Sequence, residues 1–321
     1  MMIYQLRLLV AVTTLAFGCN ALAQDQPAPT VPEPTLSKVR YGQHPKQVLY
    51  FWQAESESPT PLLFYIHGGG WKGGDPQDKN LMNMLSILLE HKISVVSIQY
   101  RYIQDAVAAD IKPPVKAPLE DAARALQFVR TKASQWNFDP QRIAASGGSA
   151  GGCTSLWLAF HDDMADPDSD DPVARQSTRL FCTATIRPQT TLDPLQMKQW
   201  TPNSNYGSHA FGIFKPGPKE FQLDFDAFLA QRDRLADWIA EYSPYALVSS
   251  DDPPTYLFYS NTPAIGQRQG DPTHTSNFGL KLHEHLQSKN VESELYYPGA
   301  PDAKHSTVHD YLIDRLTRTP K

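Results

Sequence analysis

Apolar positions along this chain alternate between two periods. Short runs rich in β-branched and aromatic residues, at Gln47–Ala54, Leu62–Ile66, Ile93–Tyr100, Ile143–Ser146, Phe181–Ile186, Thr255–Ser260 and Val291–Tyr297, predict strands. Between them apolar residues return at helical spacing: Leu81, Met84, Leu85, Leu88 and Leu89 in one stretch, then Leu119, Ala122, Ala123, Leu126 and Val129 along a helix over Leu119–Lys132. Further helices are predicted at Ala150–His161, Ala227–Tyr242 and Asn277–Lys289, and a last one begins near His305. Strand and helix in succession imply an α/β protein whose mostly parallel central sheet carries helices on both faces.

Two stretches break that alternation. Residues 162–179 are polar and acidic, with Asp162, Asp163, Asp166, Asp168, Asp170 and Asp171. Their oxygens could suit a hard cation, but no D-x-D-x-D-G order is present, so the run reads as a solvated loop and no metal site is assigned. Residues 188–223 hold aromatics, glycines and prolines without periodicity, between a strand and the next sheet-covering helix. That position suits a small cap over a site.

The first 23 residues read as an address rather than as fold. Arg7 is their single charge, Leu8 to Phe17 form an apolar stretch too short to span a bilayer, and Ala21-Leu22-Ala23 is a small-x-small cleavage pattern. A signal peptide cleaved after Ala23 places the mature chain in the periplasm or outside the cell, with no membrane partner thereafter. Residues 24–36, with Pro27, Pro29, Pro32 and Pro34, read as an extended leader, and 37–321 as one domain.

Composition narrows the function classes. A chain of 321 residues with 11% aromatics can bury a full core and is not a disordered tail. A formal net charge of −5 leaves no basic footprint, so nucleic acid is not an expected partner. Three cysteines are too few for a disulfide scaffold. Cys153 and Cys182 are expected as buried free thiols, although export would permit a pair.

The strongest chemical signal is Gly147-Gly148-Ser149-Ala150-Gly151, placed directly between a predicted strand and a predicted helix. A serine hydroxyl is a weak nucleophile until a sharp turn presents it and a base takes its proton, and small flanking residues permit that turn. Earlier, His67-Gly68-Gly69-Gly70-Trp71 follows the strand that ends at Ile66. Backbone N–H groups of Gly68 and Gly69, with that of Ala150, are candidate donors to a tetrahedral oxyanion. His67 is expected to be structural; Trp71 either walls a substrate pocket or packs beneath the loop.

Together these residues carry a resemblance. HGGGW with KGG, Tyr100-Arg101, Asp121 with Ala123 and Arg130, and Trp136-Asn137-Phe138-Asp139-Pro140-Gln141-Arg142-Ile143 leading into GGSAGG resemble the α/β-hydrolase fold. Within it they resemble the hormone-sensitive-lipase-like carboxylesterases and the feruloyl and acetyl xylan esterases, densely over about residues 60–155 and loosely beyond. The resemblance implies a cofactor-free serine esterase with the chain order nucleophile, acid, histidine, and it places the histidine after the last strand. Asp139, Pro140 and Arg142 are read as structural.

The remaining members must come from loops at the carboxyl ends of later strands. Pro298 to Lys304 lead into His305, the expected base, with His309 as competitor; His274, His283 and His285 are read as surface or helix residues. Asp271, in Asp271-Pro272-Thr273-His274, is the expected acid, although Asn261 to Gly270 make its loop long. Asp193 is the fallback and Asp302 a further alternative, while Asp251 and Asp252 precede their strand. The expected activity is hydrolysis of a small-molecule or carbohydrate ester through an acyl-enzyme, with acetyl or feruloyl groups of plant polysaccharide as substrates. A peptidase of the same fold and a non-catalytic binding protein of that fold are the rival readings, and the oligomeric state stays open.

Overall fold

The computed structural model describes residues 32–318. The signal-peptide reading, Cys19 and most of the leader therefore lie outside the described residues. In chain order the elements are β1 (Leu36–Arg40), β2 (Val48–Trp52), β3 (Thr60–Ile66), α1 (Lys79–Glu90), β4 (Ser94–Ile98), α2 (Ile103–Ala108), α3 (Lys116–Arg130), β5 (Phe138–Gly148), α4 (Ala150–Phe160) and β6 (Cys182–Ile186). There follow α5 (Pro194–Trp200), α6 (Phe225–Ala230), α7 (Ala236–Tyr242), α8 (Pro244–Leu247), β7 (Thr255–Phe258), α9 (Asn277–Ser288), β8 (Ser293–Tyr296) and α10 (Val308–Thr317).

The strands form one eight-stranded sheet in the order β1-β2-β4-β3-β5-β6-β7-β8. β1 and β2 are antiparallel to their neighbours and the rest run parallel. This is the α/β-hydrolase fold. Alternation along β3 sends Leu62, Phe64 and Ile66 into one core with α3, α4 and α9, and Leu63 and Tyr65 into the other with α1 and α10. Register then levels the carboxyl ends of five strands: Ile66 pairs with Gly147, Gly148 with Ile186, Ile186 with Phe258, and Phe258 with Tyr296. Whatever the following loops carry is brought to one edge.

Two local differences from the sequence pattern have physical causes. The apolar pattern predicts no strand before Gln47, yet Leu36–Arg40 forms β1: its residues are largely exposed and show no apolar alternation, and it forms by backbone pairing at a sheet edge. The helix expected over Ala227–Tyr242 is broken into α6, a one-turn 3-10 helix at Arg232–Leu235, and α7. At the break, Arg232 clasps the Asp193 carboxylate at 2.8 Å. Of the resemblance motifs, half-buried Arg101 and buried Asp121 form an ion pair at 2.6 Å, to which the Gln47 amide adds a hydrogen bond at 2.7 Å. Cys153 and Cys182 are buried and unpaired, and burial pushes both thiols up, Cys182 to about 12.

Candidate active site

The turn from β5 into α4 places Ser149 at φ 52° and ψ −122°, a conformation that a non-glycine residue adopts only when its surroundings impose it. Here they do: the Ser149 N–H donates to the Ile186 carbonyl at 2.9 Å, and its own carbonyl accepts from Cys153 N–H at 2.9 Å in the first turn of α4. The side chain is thus lifted off the sheet edge. The loop after β3 runs alongside. A methyl group on Gly68 would stand 2.8 Å from the Gly148 carbonyl oxygen and 3.5 Å from Ser149 Cβ, so only glycine lets the two backbones approach this closely.

The histidine that meets Ser149 is not the expected one. His274 Nε2 lies 3.0 Å from Ser149 Oγ, and His274 Nδ1 lies 2.8 Å from Asp271 Oδ2. Asp271 and His274 share one turn of the β7–α9 loop, in which Asp271 Oδ1 also accepts from Thr273 N–H at 3.1 Å and His274 N–H at 3.2 Å. Burial by itself would raise the Asp271 carboxyl, but the hydrogen bond and charge of His274 outweigh it and hold this group below the ordinary carboxylate range. The chain order serine, aspartate, histidine is kept, with the histidine three residues after the acid.

His305 lies elsewhere, which corrects the expectation. Its Nδ1 is 2.8 Å from Glu294 Oε2, its Nε2 is 3.0 Å from Asp314 Oδ2, and its backbone N–H donates to Glu294 Oε1 at 2.6 Å. Both ring nitrogens are taken by carboxylates, so neither is free for a serine. Two other histidines from the sequence reading are engaged away from Ser149: His283 Nδ1 meets Ser293 Oγ at 2.9 Å and His285 stacks on Tyr245 with ring centroids 4.4 Å apart. His309 sits on α10 and lines a hollow beside the cleft.

Asp193 caps α5 by accepting from Leu195 N–H at 2.8 Å and is bound to Arg232, which removes it as the partner of a histidine in the site. Trp71 is fully buried and its Nε1–H donates to Thr154 Oγ1 at 2.9 Å, so it packs beneath the loop and forms no wall of the cleft. His67 is buried too, stacked on Tyr100 at 4.4 Å.

The cleft over Ser149 has a volume of about 270 Å³. Its walls are Gly68, Gly69 and Gly74 on one side, and Ile186 and His274 on the other, with the polar side chains of Asp75, Asp78, Asn80 and Arg187 among them. None of these residues comes from 188–223, so the segment expected as a cap does not line the cleft. The signal for His274 was present in the sequence as Asp-Pro-Thr-His after an overlong loop. The family resemblance pointed to the loop after the last strand instead, which left His274 read as a surface residue.

Comparison with known proteins supports the same architecture. The model of the family described as BD-FAE matches residues 49–269, which takes in the glycine loop and Ser149 and stops just short of Asp271 and His274. A versiconal hemiacetal acetate esterase of Dothistroma septosporum is 36% identical over 102 residues, 32% of this chain and 28% of that protein. Carboxylesterase NlhH of Mycobacterium tuberculosis is 31% identical over 112 residues, 35% of this chain and 33% of its own. The chain thus spans about a third of the length of these curated relatives. Among solved structures, an acetyl ester-xyloside bifunctional hydrolase from Caldicellulosiruptor lactoaceticus superposes with a TM-score of 0.59 at 23% identity, over 84% of this chain and 87% of that one, a likeness of fold.

Proposed function

The chain belongs to the BD-FAE family, and we propose that it is a serine esterase that cleaves carboxylic esters through an acyl-enzyme. The observation that carries this reading is the unbroken chain from Ser149 Oγ through the His274 imidazole to Asp271, at 3.0 and 2.8 Å, on a strained strand-to-helix turn. In the reaction, Ser149 Oγ attacks the ester carbonyl carbon while His274 Nε2 takes its proton; Asp271 holds Nδ1–H, fixing the tautomer and stabilising the imidazolium. The N–H groups of Gly68, Gly69 and Ala150 receive the oxyanion. His274 then protonates the departing alkoxide, and water, deprotonated by the same nitrogen, releases the acid and restores Ser149.

The alcohol we propose is polar, with a small acyl group such as acetyl on a carbohydrate. The carboxylates, amide and guanidinium in the cleft offer both donors and acceptors to hydroxyl groups. The name of the Caldicellulosiruptor protein joins an acetyl ester to a xyloside. Export by a signal peptide cleaved after Ala23 agrees with a substrate outside the cell, and a mature protein beginning at Gln24 is its direct check.

The decisive experiment labels the protein with a fluorophosphonate and measures acetate released from acetylated xylan, ferulate from feruloyl oligosaccharides, and turnover of p-nitrophenyl esters. Wild type is expected to label and Ser149→Ala not to. Failure of the wild type to label would overturn the reading, and turnover of a dipeptidyl amide without ester cleavage would replace it with a peptidase.

A further inference from the structure

The loop that supplies two of the oxyanion donors is held in an uncommon shape. Gly69, Gly70 and Trp71 are left-handed in succession, at φ 106°, 62° and 54°, and a tryptophan does not choose that region unaided. Backbone bonds from Ile103 N–H to the Trp71 carbonyl at 2.8 Å and from Lys72 N–H to the Gly69 carbonyl at 3.1 Å help to hold it, and two side-chain contacts add to them. From below, the Trp71 indole N–H donates to Thr154 Oγ1 at 2.9 Å, and that hydroxyl donates to the Ala150 carbonyl at 2.9 Å, which ties the loop to the residue carrying the third donor. From the side, His209 Nε2 stands 3.0 Å from the Gly70 carbonyl oxygen.

His209 belongs to a 3-10 turn, Ser208–Phe211, inside the segment without periodicity. The turn is pinned: the Ala210 carbonyl accepts from Val115 N–H at 3.0 Å, and Ser208 Oγ accepts from Asp224 N–H at 2.9 Å. The imidazole is fully buried, with its centroid 5.8 Å from that of Trp71 and 4.8 Å from that of Tyr206. Burial, reinforced by the charge of Lys72, pushes it down to about 3, so the ring is neutral and carries one proton. A carbonyl partner requires that proton on Nε2. Nδ1 has no hydrogen-bond partner among the described residues, so the ring makes a single polar contact, and that contact is Gly70.

We propose that His209 is a positioning residue for the oxyanion loop: its Nε2–H fixes the Gly70 carbonyl and, through it, the aim of the Gly68 and Gly69 N–H groups. This rests on the reading of those groups as oxyanion donors. The segment 188–223 then serves the site from behind, as a brace.

Two variants and one wild-type measurement test it. His209→Phe keeps an aromatic ring and removes the donor; His209→Gln keeps an N–H that can reach the carbonyl. On p-nitrophenyl acetate, His209→Phe is expected to lower kcat by about 10- to 100-fold with KM within about twofold, since the loss falls on the transition state. A trifluoromethyl ketone, which adds Ser149 Oγ to give a bound oxyanion, should lose affinity by a similar factor, and His209→Gln should recover most of both. Equal behaviour of the two variants, or a loss confined to KM, would overturn the proposal. In wild type, ¹⁵N-histidine NMR should show one histidine that stays neutral at pH 5 in the Nε2–H tautomer; the Nδ1–H tautomer would overturn it without any variant. An unlabelled, inactive wild type would sink the esterase reading, whereas an active wild type with an unaffected His209→Phe sinks only this one.

Discussion

The loops that leave β7 and β8 start from paired strand ends and use the same materials, a histidine held by a carboxylate, yet they do different work. In the β7 loop, Asp271 takes one nitrogen of His274 and the other faces Ser149 Oγ. In the β8 loop, Glu294 and Asp314 take both nitrogens of His305, and Asp314 is further bound by Lys304 and Arg318. A base needs one nitrogen anchored and the other free, so saturation with carboxylates turns a histidine into a clamp. His305 is that clamp: its carbonyl also accepts from Tyr256 Oη at 2.8 Å, tying β7, β8 and α10 together.

The largest effects should separate the two histidines. His274→Ala is expected to lower kcat by at least ~1,000-fold with little change in melting temperature, while His305→Ala keeps kcat within a few-fold and costs about 1–3 kcal/mol of stability. Steady-state kinetics and thermal unfolding of both variants check this, and an inactive, fully stable His305→Ala would break the contrast. Next, Asp271→Asn should lower kcat by at least ~100-fold, because an amide neither fixes the Nδ1–H tautomer of the imidazole nor supplies the charge that supports its protonated form. Asp193→Asn should leave kcat near wild type, since its carboxylate caps α5 and binds Arg232.

A smaller effect concerns acid. Burial would raise the Asp314 carboxyl, but hydrogen bonds from Lys304 and Arg318 and their charges bring it down to about 2. A carboxyl depressed in the folded state adds stability above its unfolded value near 3.8, and that gain is lost as pH falls through about 2. Asp314→Asn should therefore cost roughly 1–2 kcal/mol at neutral pH, allowing for solvent screening. The gap from wild type should begin to close below about pH 4, as chemical denaturation at stepped pH would show. A constant gap would mean that packing, rather than charge, holds the β8 loop.

Much of this was written in local pattern. Most strands and the long helices that cover the sheet follow from apolar period; an edge strand with no buried face, a helix broken where Arg232 turns to Asp193, and the short helices α2, α5 and α8 do not. Ser149 and its glycine loop were legible because their chemistry depends on backbone geometry, which adjacent residues set. Asp271 was singled out for the right turn, but as the partner of a histidine 34 positions later rather than the one three positions on.

The sequence alone determined that an exposed serine would stand at the edge of a parallel sheet beside a run of glycines, because turns, strand period and glycine backbone are properties of neighbours in the chain. Which histidine joins it was decided only in three dimensions. His274 and His305 both follow a strand and both have a carboxylate near in sequence, and nothing local distinguishes them. The long loop after β7 carries one ring over Ser149, while α10 brings Asp314 onto the free face of the other. The same holds for 188–223, whose lack of period suggested a lid, and which places its one buried imidazole behind the glycine loop instead.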